Sequence, residues 1–228
     1  MRFHIITIFP EMFDSYLKES ILGRAAENKL ISVKFYNPRD FIKAPKNNYR
    51  PVDDKPYGGG PGMVMRAEPI LKAVEAAVKK IKSKKTLIIN FIPSAPKFTT
   101  DSAKTLSKKY TDIILICGRY EGIDARIDKI LKTKKFSIGD YILTGGELPA
   151  MVLIDSISRQ IKGVLGKYES LEEERVSSSE VYTRPEILKY PSLHKASKGQ
   201  AKIKTYRVPK VLLSGNHKLI EEWKKRDK

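Results

Sequence analysis

From Phe3 to Phe9 nearly every position is β-branched or aromatic, and Pro10 closes the run, so the first element is predicted as a buried strand. A helical pattern follows over Glu11–Lys29, and Ile31–Tyr36 alternates like a second strand. The pattern then disappears through VDDKPYGGGPGM (Val52–Met63), which is too long and glycine-rich for a routine connection and stands as a candidate functional loop. Beyond it the pattern predicts a helix over Pro69–Ile81, a buried strand over Leu87–Ile92, a helix over Thr100–Lys109, a strand over Asp112–Cys117 and a helix over Glu147–Ile161. Strands alternating with helices imply an α/β domain whose parallel sheet is covered on both faces.

The pattern changes after Gly166, where a polar stretch with acidic and serine runs reads as an exposed linker. We therefore expect a domain over 1–166, a linker or lid over 167–181 and a small, basic, mostly helical domain over 182–228. Within the last, Lys189–Lys210 carries seven Lys and Arg and no acid in 22 residues. A closing helix is predicted over Asn216–Lys225, with Asn216 as cap and Leu219, Ile220 and Trp223 on one face. So short a segment cannot fill a core of its own.

Charge narrows the choice of partners. Forty-four Lys and Arg against 26 Asp and Glu leave +18 on 228 residues, which points to an anionic partner, nucleic acid ahead of an anionic membrane. One cysteine (Cys117) excludes a disulfide framework, and His4, His194 and His217 lie too far apart to give a zinc-ligand spacing. The apolar runs are far short of a membrane span and MRFHIITIF lacks a signal-peptide pattern, so the expected compartment is the cytoplasm.

Glycine turns at strand ends are where an open parallel sheet binds ligands, because backbone approaches a ligand closely only where side chains are absent. Three such places occur here: Pro93–Ala95, CGRYEGID (Cys117–Asp124) and SIGDYILTGGELP (Ser137–Pro149). No G-x-x-x-x-G-K-[ST] is present and the Gly58, Gly60, Met63 spacing lacks the last glycine of a dinucleotide fingerprint, so neither a P-loop nor a standard dinucleotide site is expected. The acids among these glycines are Glu121, Asp124, Asp140 and Glu147; they suit ribose hydroxyls, a metal or a cationic group such as a sulfonium, and equally a helix cap. Asp155 and Arg159 stand at i,i+4, the spacing of a helix-surface pair. Cys117 ends an apolar strand and reads as a buried, inert thiol. In the basic C-terminal run Tyr190, His194 and Tyr206 interleave with cations, a combination suited to phosphates and unpaired bases of RNA.

At FPEMF, VDDKPYGGGPGM, CGRYEGID, SIGDYILTGGELPAM, LIDSISR, YTRPE and VLLSGNH the sequence resembles the bacterial tRNA (guanine-N(1))-methyltransferase family, TrmD, over nearly the whole chain. The resemblance alone implies a SPOUT-type parallel sheet with a C-terminal trefoil knot, an exception to the rule that chains do not thread loops. It implies an obligate homodimer with active sites at the interface and S-adenosylmethionine as donor. The implied substrate is N(1) of guanosine 37 of tRNA, beside the anticodon, with neither DNA nor membrane as partner. By motif, the cofactor would meet Pro93, Gly118, Glu121, Gly122, the run Ser137, Ile138, Gly139, Asp140, Tyr141, Ile142, Leu143, and Gly145 and Gly146. The backbone amides of Ile138, Tyr141 and Leu143 would hold the adenine. Arg159 aligns with the catalytic arginine, no protein metal ligands are assigned, and Mg²⁺ or arginine would offset charge on O6. Phosphate contacts fall to Lys189, Lys195, Lys198, Lys202, Lys204 and Arg207.

The chain departs from the family in places. The base position holds Glu174, with Glu172 and Glu173 beside it, where Asp is usual, and Arg175 follows where Ser is common. Asn90, Ile92 and Ala95 replace an aromatic residue, Ser and Gly; the stretch before YTRPE is short; a basic insert occupies Leu193–Arg207; and the tail after VLLSGNH is shorter than the family's. The alternatives are a catalytically impaired tRNA-binding relative and a methyltransferase with an altered RNA target.

Overall fold

Parallel strands bury both faces only when apolar residues are continuous, and the centre of this sheet is built from such runs. The computed structural model describes residues 1–43, 49–166, 180–191 and 203–225. Its elements in chain order begin with β1 (Arg2–Ile6), a 3₁₀ turn (Pro10–Phe13), α1 (Asp14–Leu17), α2 (Ser20–Glu27) and β2 (Ser32–Tyr36). A second 3₁₀ turn (Pro38–Phe41), β3 (Asp53–Asp54), β4 (Val64–Met65), α3 (Ala67–Val78), β5 (Thr86–Phe91), α4 (Thr100–Lys109) and β6 (Asp112–Ile116) follow. Then come α5 (Arg126–Leu131), β7 (Lys134–Phe136), α6 (Glu147–Ser158), β8 (Ile187–Pro191), β9 (Ile203–Arg207), α7 (Lys210–Leu213) and α8 (His217–Lys225). No helix among the described residues is long and apolar enough to cross a membrane.

Five strands form one sheet in the order β2-β1-β6-β5-β7, every neighbour parallel. Strand β6 is buried at all five positions, and its side chains alternate between two cores. Ile113 and Leu115 join Phe3, Ile5, Phe13, Ile89 and residues of α6, while Ile114 and Ile116 join Ile6, Ile70 and Val74 of the α3 side. Truncating one of these isoleucines to alanine removes about 2–5 kcal/mol.

The predicted single helix over Glu11–Lys29 is instead three short segments, with a break at Ser20, whose φ is 51°. The bend brings α1 back on α2 so closely that a Cβ on Gly23 would lie 2.4 Å from the Lys18 carbonyl oxygen. A straight helix of that length could not place Phe13, Leu22 and Ala25 in one core, where the bend puts them. Neither α5 nor β7 is legible in the pattern, because each buries a single side chain, Ile127 and Phe136.

The chain divides into two compact units, Met1–Tyr168 and Glu169–Lys228. In the second, the expected mostly helical fold is corrected: an antiparallel hairpin, β8 with β9, precedes the two helices. Cations stand on both faces of this hairpin, Lys204 on one and Lys189 and Arg207 on the other, so no apolar alternation marks its strands. No described residue of this unit is buried, although Tyr182 packs on Trp223 with ring centroids 6.2 Å apart. Asn216 does cap α8, its Oδ1 accepting from the Leu219 amide at 3.3 Å.

A charged cluster secures the amino edge of the main sheet. Fully buried Asp112 accepts from Arg2 Nε and Nη2, both at 2.7 Å, from Thr111 Oγ1 at 2.9 Å and from His4 Nε2 at 3.1 Å. Burial by itself would raise the Asp112 pKa, but the hydrogen bonds from Arg2, His4 and Thr111 outweigh it and hold it at about 2. Burial lowers the His4 pKa, against the pull of Asp112, so the folded protein prefers the neutral imidazole. Both shifts have one sign: the unfolded chain binds more protons, so stability falls as the solution is acidified. The Asp112 contribution is complete above its unfolded value of 3.8 and is lost toward pH about 2. Asp112→Asn is expected to cost about 1–3 kcal/mol at neutral pH and to make the acid limb of a thermal-melt series shallower over that window.

Candidate active site

Because the strands are parallel, β5, β6 and β7 end on one edge, and each ends in a glycine- or proline-bearing loop. Together the loops enclose a cleft of about 400 Å³. Its walls are Asn90, Phe91, Ile92 and Pro93 after β5; Gly118–Ile123 after β6; Phe136, Ser137 and Ile138 after β7; and Tyr141–Gly146 with Pro149 leading into α6.

Backbone hydrogen bonds join these loops. The Gly146 amide donates to the Gly118 carbonyl at 2.8 Å and Phe98 to Ser137 at 2.7 Å, while Ser137 donates to Pro96 at 3.0 Å. The end of the VDDKPYGGGPGM loop is sewn to CGRYEGID: Glu121 donates to Met63 at 3.0 Å, Met65 to Gly122 at 2.9 Å and Asp124 to Met65 at 3.0 Å. Gly58, Gly59, Gly60 and Gly62 all have positive φ, a path that side-chain-bearing residues seldom follow. At Gly146 the requirement is space: a Cβ there would stand 2.6 Å from Cys117 Cα and 2.9 Å from the Gly118 nitrogen.

Charge inside the site is paired. Glu147, only 1% exposed, lies 2.9 Å from Arg119 Nε and accepts from Thr7 Oγ1 at 2.8 Å. The Arg119 guanidinium in turn sits 4.8 Å from the Phe9 ring centroid. Asp124 is bound by Arg126, whose hydrogen bonds lower its pKa, and Asp140 is paired with Lys97 at 2.5 Å. Of the four acids singled out from the sequence, Glu121 is the one that lines the cleft. Cys117 lies behind the cleft, and burial, with Glu147 adding to it, pushes its thiol pKa well up, consistent with an inert side chain.

Pro93, Gly118, Glu121, Gly122, Ser137, Ile138, Tyr141, Ile142, Leu143, Gly145 and Gly146 all border the cleft. Gly139 and Asp140 do not: they form the outer tip of their loop, where the Gly139 amide donates to Ser137 Oγ at 3.3 Å and Asp140 turns toward Lys97. The i,i+4 pair between Asp155 and Arg159 is also absent. Asp155 instead accepts from the Tyr16 hydroxyl, and that hydrogen bond, with burial, pushes the Tyr16 pKa up to about 12. Arg159 caps the far end of α6, outside the cleft walls. Lys189, Lys204 and Arg207 are exposed on the β8–β9 hairpin. Glu172, Glu173, Glu174, Lys195, Lys198 and Lys202 lie outside the described residues. Sequence reasoning missed Phe91 and Phe136 as wall residues, Thr144 and Pro149 were covered only by the loop Ser137–Pro149 as a whole, and the Arg119–Glu147 pair was not foreseen. Phe136 went with the unrecognised strand, and nothing in residue spacing announces a buried ion pair between a loop and the first turn of α6.

A parallel α/β sheet whose carboxyl-edge loops close one backbone-lined cleft defines a ligand-binding α/β protein of the open-sheet class. The comparisons with known proteins narrow that class. The family described as tRNA (Guanine-1)-methyltransferase TrmD matches residues 1–228, and the chain belongs to that family. It is 45% identical over 227 residues to a tRNA (guanine-N(1)-)-methyltransferase of Clostridioides difficile strain 630, covering 100% of this chain and 92% of the relative. A protein of the same name from Dictyoglomus turgidum is 44% identical over 227 residues, covering 100% and 84%. The crystal structure of a tRNA (m1G37) methyltransferase from Aquifex aeolicus is similar with a TM-score of 0.73 at 38% identity, covering 98% of this chain and 87% of that one.

The contact at Gly146 supplies a test of the cleft. Gly146→Ala forces backbone apart and is expected to lose about 1–3 kcal/mol. Gly166→Ala, with open space around it and an ordinary φ, is expected to stay within about 0.5 kcal/mol of the wild type in the same denaturant titration.

Proposed function

We propose that this protein transfers a methyl group from S-adenosylmethionine to N(1) of the guanosine immediately 3′ of the tRNA anticodon. The carrying observation is one cleft in which three strand-end loops converge, one bearing proline and two bearing glycine, in a chain that belongs throughout to the TrmD family. The walls suit a nucleoside-bearing sulfonium: Gly145 and Gly146 leave no room for side chains, Tyr141–Leu143 offer backbone amides and apolar surface, and Glu121 supplies negative charge. In this reading the loops around residues 118–123 and 137–146 belong to a trefoil-knotted SPOUT fold.

When bound, the donor supplies an electrophilic methyl group on a cationic sulfur. N(1) of guanine carries a proton at neutral pH, and Glu174 is the carboxylate that removes it, freeing the lone pair in the plane of the ring. Arg159 offsets the negative charge that grows on O6; a Mg²⁺ ion would supply the same stabilisation, and among the described residues no cluster of His, Cys, Asp and Glu side chains forms a cage for one. Glutamate keeps the carboxylate of the usual aspartate and adds one methylene, so the base reaches further.

A homodimer completes the site. From Glu147 to Arg159 helix α6 rises about 18 Å, so Arg159 stands well away from the cleft at the other end of the same helix. Phe9, Met12 and Tyr16, and Leu148 and Val152 of α6, are large apolar residues left exposed, of the kind a second copy covers. Across that surface, Arg159 of one protomer serves the cleft of its partner. The C-terminal cations Lys189, Lys195, Lys198, Lys202, Lys204 and Arg207 hold tRNA phosphates, and the enzyme works in the cytoplasm.

Mass-spectrometric mapping of unmodified tRNA after incubation with the enzyme and donor is expected to find 1-methylguanosine beside the anticodon; methylation elsewhere overturns the proposal. Glu174→Gln is expected to reduce turnover by about 100-fold or more while calorimetric donor affinity stays at the wild-type value. Val152→Glu is expected to shift the light-scattering mass from two chains toward one and to abolish methyl transfer together with it.

A further inference from the structure

The β8–β9 hairpin presents an arrangement that phosphate binding alone does not explain. Its register sets Leu188 opposite Tyr206 and Tyr190 opposite Lys204. Opposed residues of an antiparallel pair share a face and alternate residues change face, so Leu188, Tyr190, Lys204 and Tyr206 project from one side. The two tyrosines are diagonal neighbours, roughly 7–8 Å apart by strand geometry, and Lys204 stands directly opposite Tyr190 and two residues before Tyr206 on β9. The two residues are 51% and 49% exposed. Tyr182, by contrast, is packed on Trp223 within the same unit, so an internal role for aromatic residues there is already filled.

What such a face fits follows from its charge. The hairpin strands carry Lys189, Lys204 and Arg207 and no acid. Two exposed rings with a cation on the same side match a polyanion that displays flat apolar surfaces, which is unpaired RNA. A duplex offers phosphates to the lysine and nothing for the rings, because its bases are stacked on one another.

We infer that the Tyr190–Lys204–Tyr206 face is a base-stacking platform that takes two unpaired nucleotides of the RNA substrate. This rests on the RNA-substrate reading above and adds to it a second contact, with bases rather than phosphates. One base lies on each ring, and Lys204 neutralises a phosphate of the strand joining them. The face therefore selects substrates by single-strandedness, while the surrounding cations supply sequence-independent attraction.

The test uses the full chain, without methyl donor, and two fluorescein-labelled probes of equal length: an unstructured single-stranded oligoribonucleotide and an RNA duplex. Tyr190→Ala with Tyr206→Ala is expected to weaken single-strand binding about tenfold to a hundredfold at an unchanged salt slope, with duplex binding retained. The pair Tyr190→Phe with Tyr206→Phe is expected to bind as the wild type does, which separates stacking from hydroxyl contacts and from misfolding. Lys204→Gln is expected to flatten the log-log salt slope by about one. Unchanged single-strand affinity in the alanine pair overturns the inference. So do equal losses on both probes, a phenylalanine pair as weak as the alanine pair, or a fall in the mass of the alanine pair by light scattering, which would make the face a protein interface. Methyl transfer by the wild type is measured separately, so an alanine pair with unchanged single-strand affinity, alongside a wild type that still forms 1-methylguanosine, sinks this inference alone. Stacking without any methylation sinks the proposed function instead.

Discussion

Parallel hydrogen bonding on both edges of β6 is the constraint from which the rest of the main unit follows. With Ile113–Ile116 buried on both faces, the strand can sit nowhere but the centre, paired residue for residue with β1 and β5. That register aligns the carboxyl ends of β5, β6 and β7 on one edge, and only then can three loops far apart in sequence wall a single cleft.

The two edges of the sheet solve opposite problems. At the amino edge a buried carboxylate is surrounded by Arg2, His4 and Thr111, so that strands β1 and β6 are tied by charge as well as by the ladder. At the carboxyl edge the chain avoids side chains: Gly118 and Gly146 bring backbone against backbone, and the pocket keeps exposed amides and apolar walls. The ion pair of Arg119 with Glu147 braces this second edge from behind, joining the β6 loop to the first turn of α6 and, through Thr7, to the end of β1.

Helix α6 links the cleft to the rest of the proposed chemistry. Its first turn carries Pro149 in the cleft wall and exposes Leu148, its second turn exposes Val152, and its last residues lead to Arg159. One rigid element thereby relates the ligand cleft, the exposed apolar surface and the arginine at fixed separation, so a site completed by a second copy needs no moving part within this helix.

The residues alone were enough to read the alternation of strands and helices, the parallel sheet, and the strand-end turns that carry proline or glycine, because long apolar runs and the turn residues between them record burial and close approach locally. The motifs CGRYEGID and SIGDYILTGGELP likewise marked most of the cleft wall in advance. Tertiary structure decided what no local pattern encodes. It split Glu11–Lys29 so that Phe13 and Leu22 could share a core, and turned Asp140 outward to Lys97 and Asp155 to Tyr16. It also paired β8 with β9 where no apolar alternation marks the strands. Each outcome depends on a partner distant in sequence, and the energy of such a contact is absent from the segment that makes it until the chain has folded.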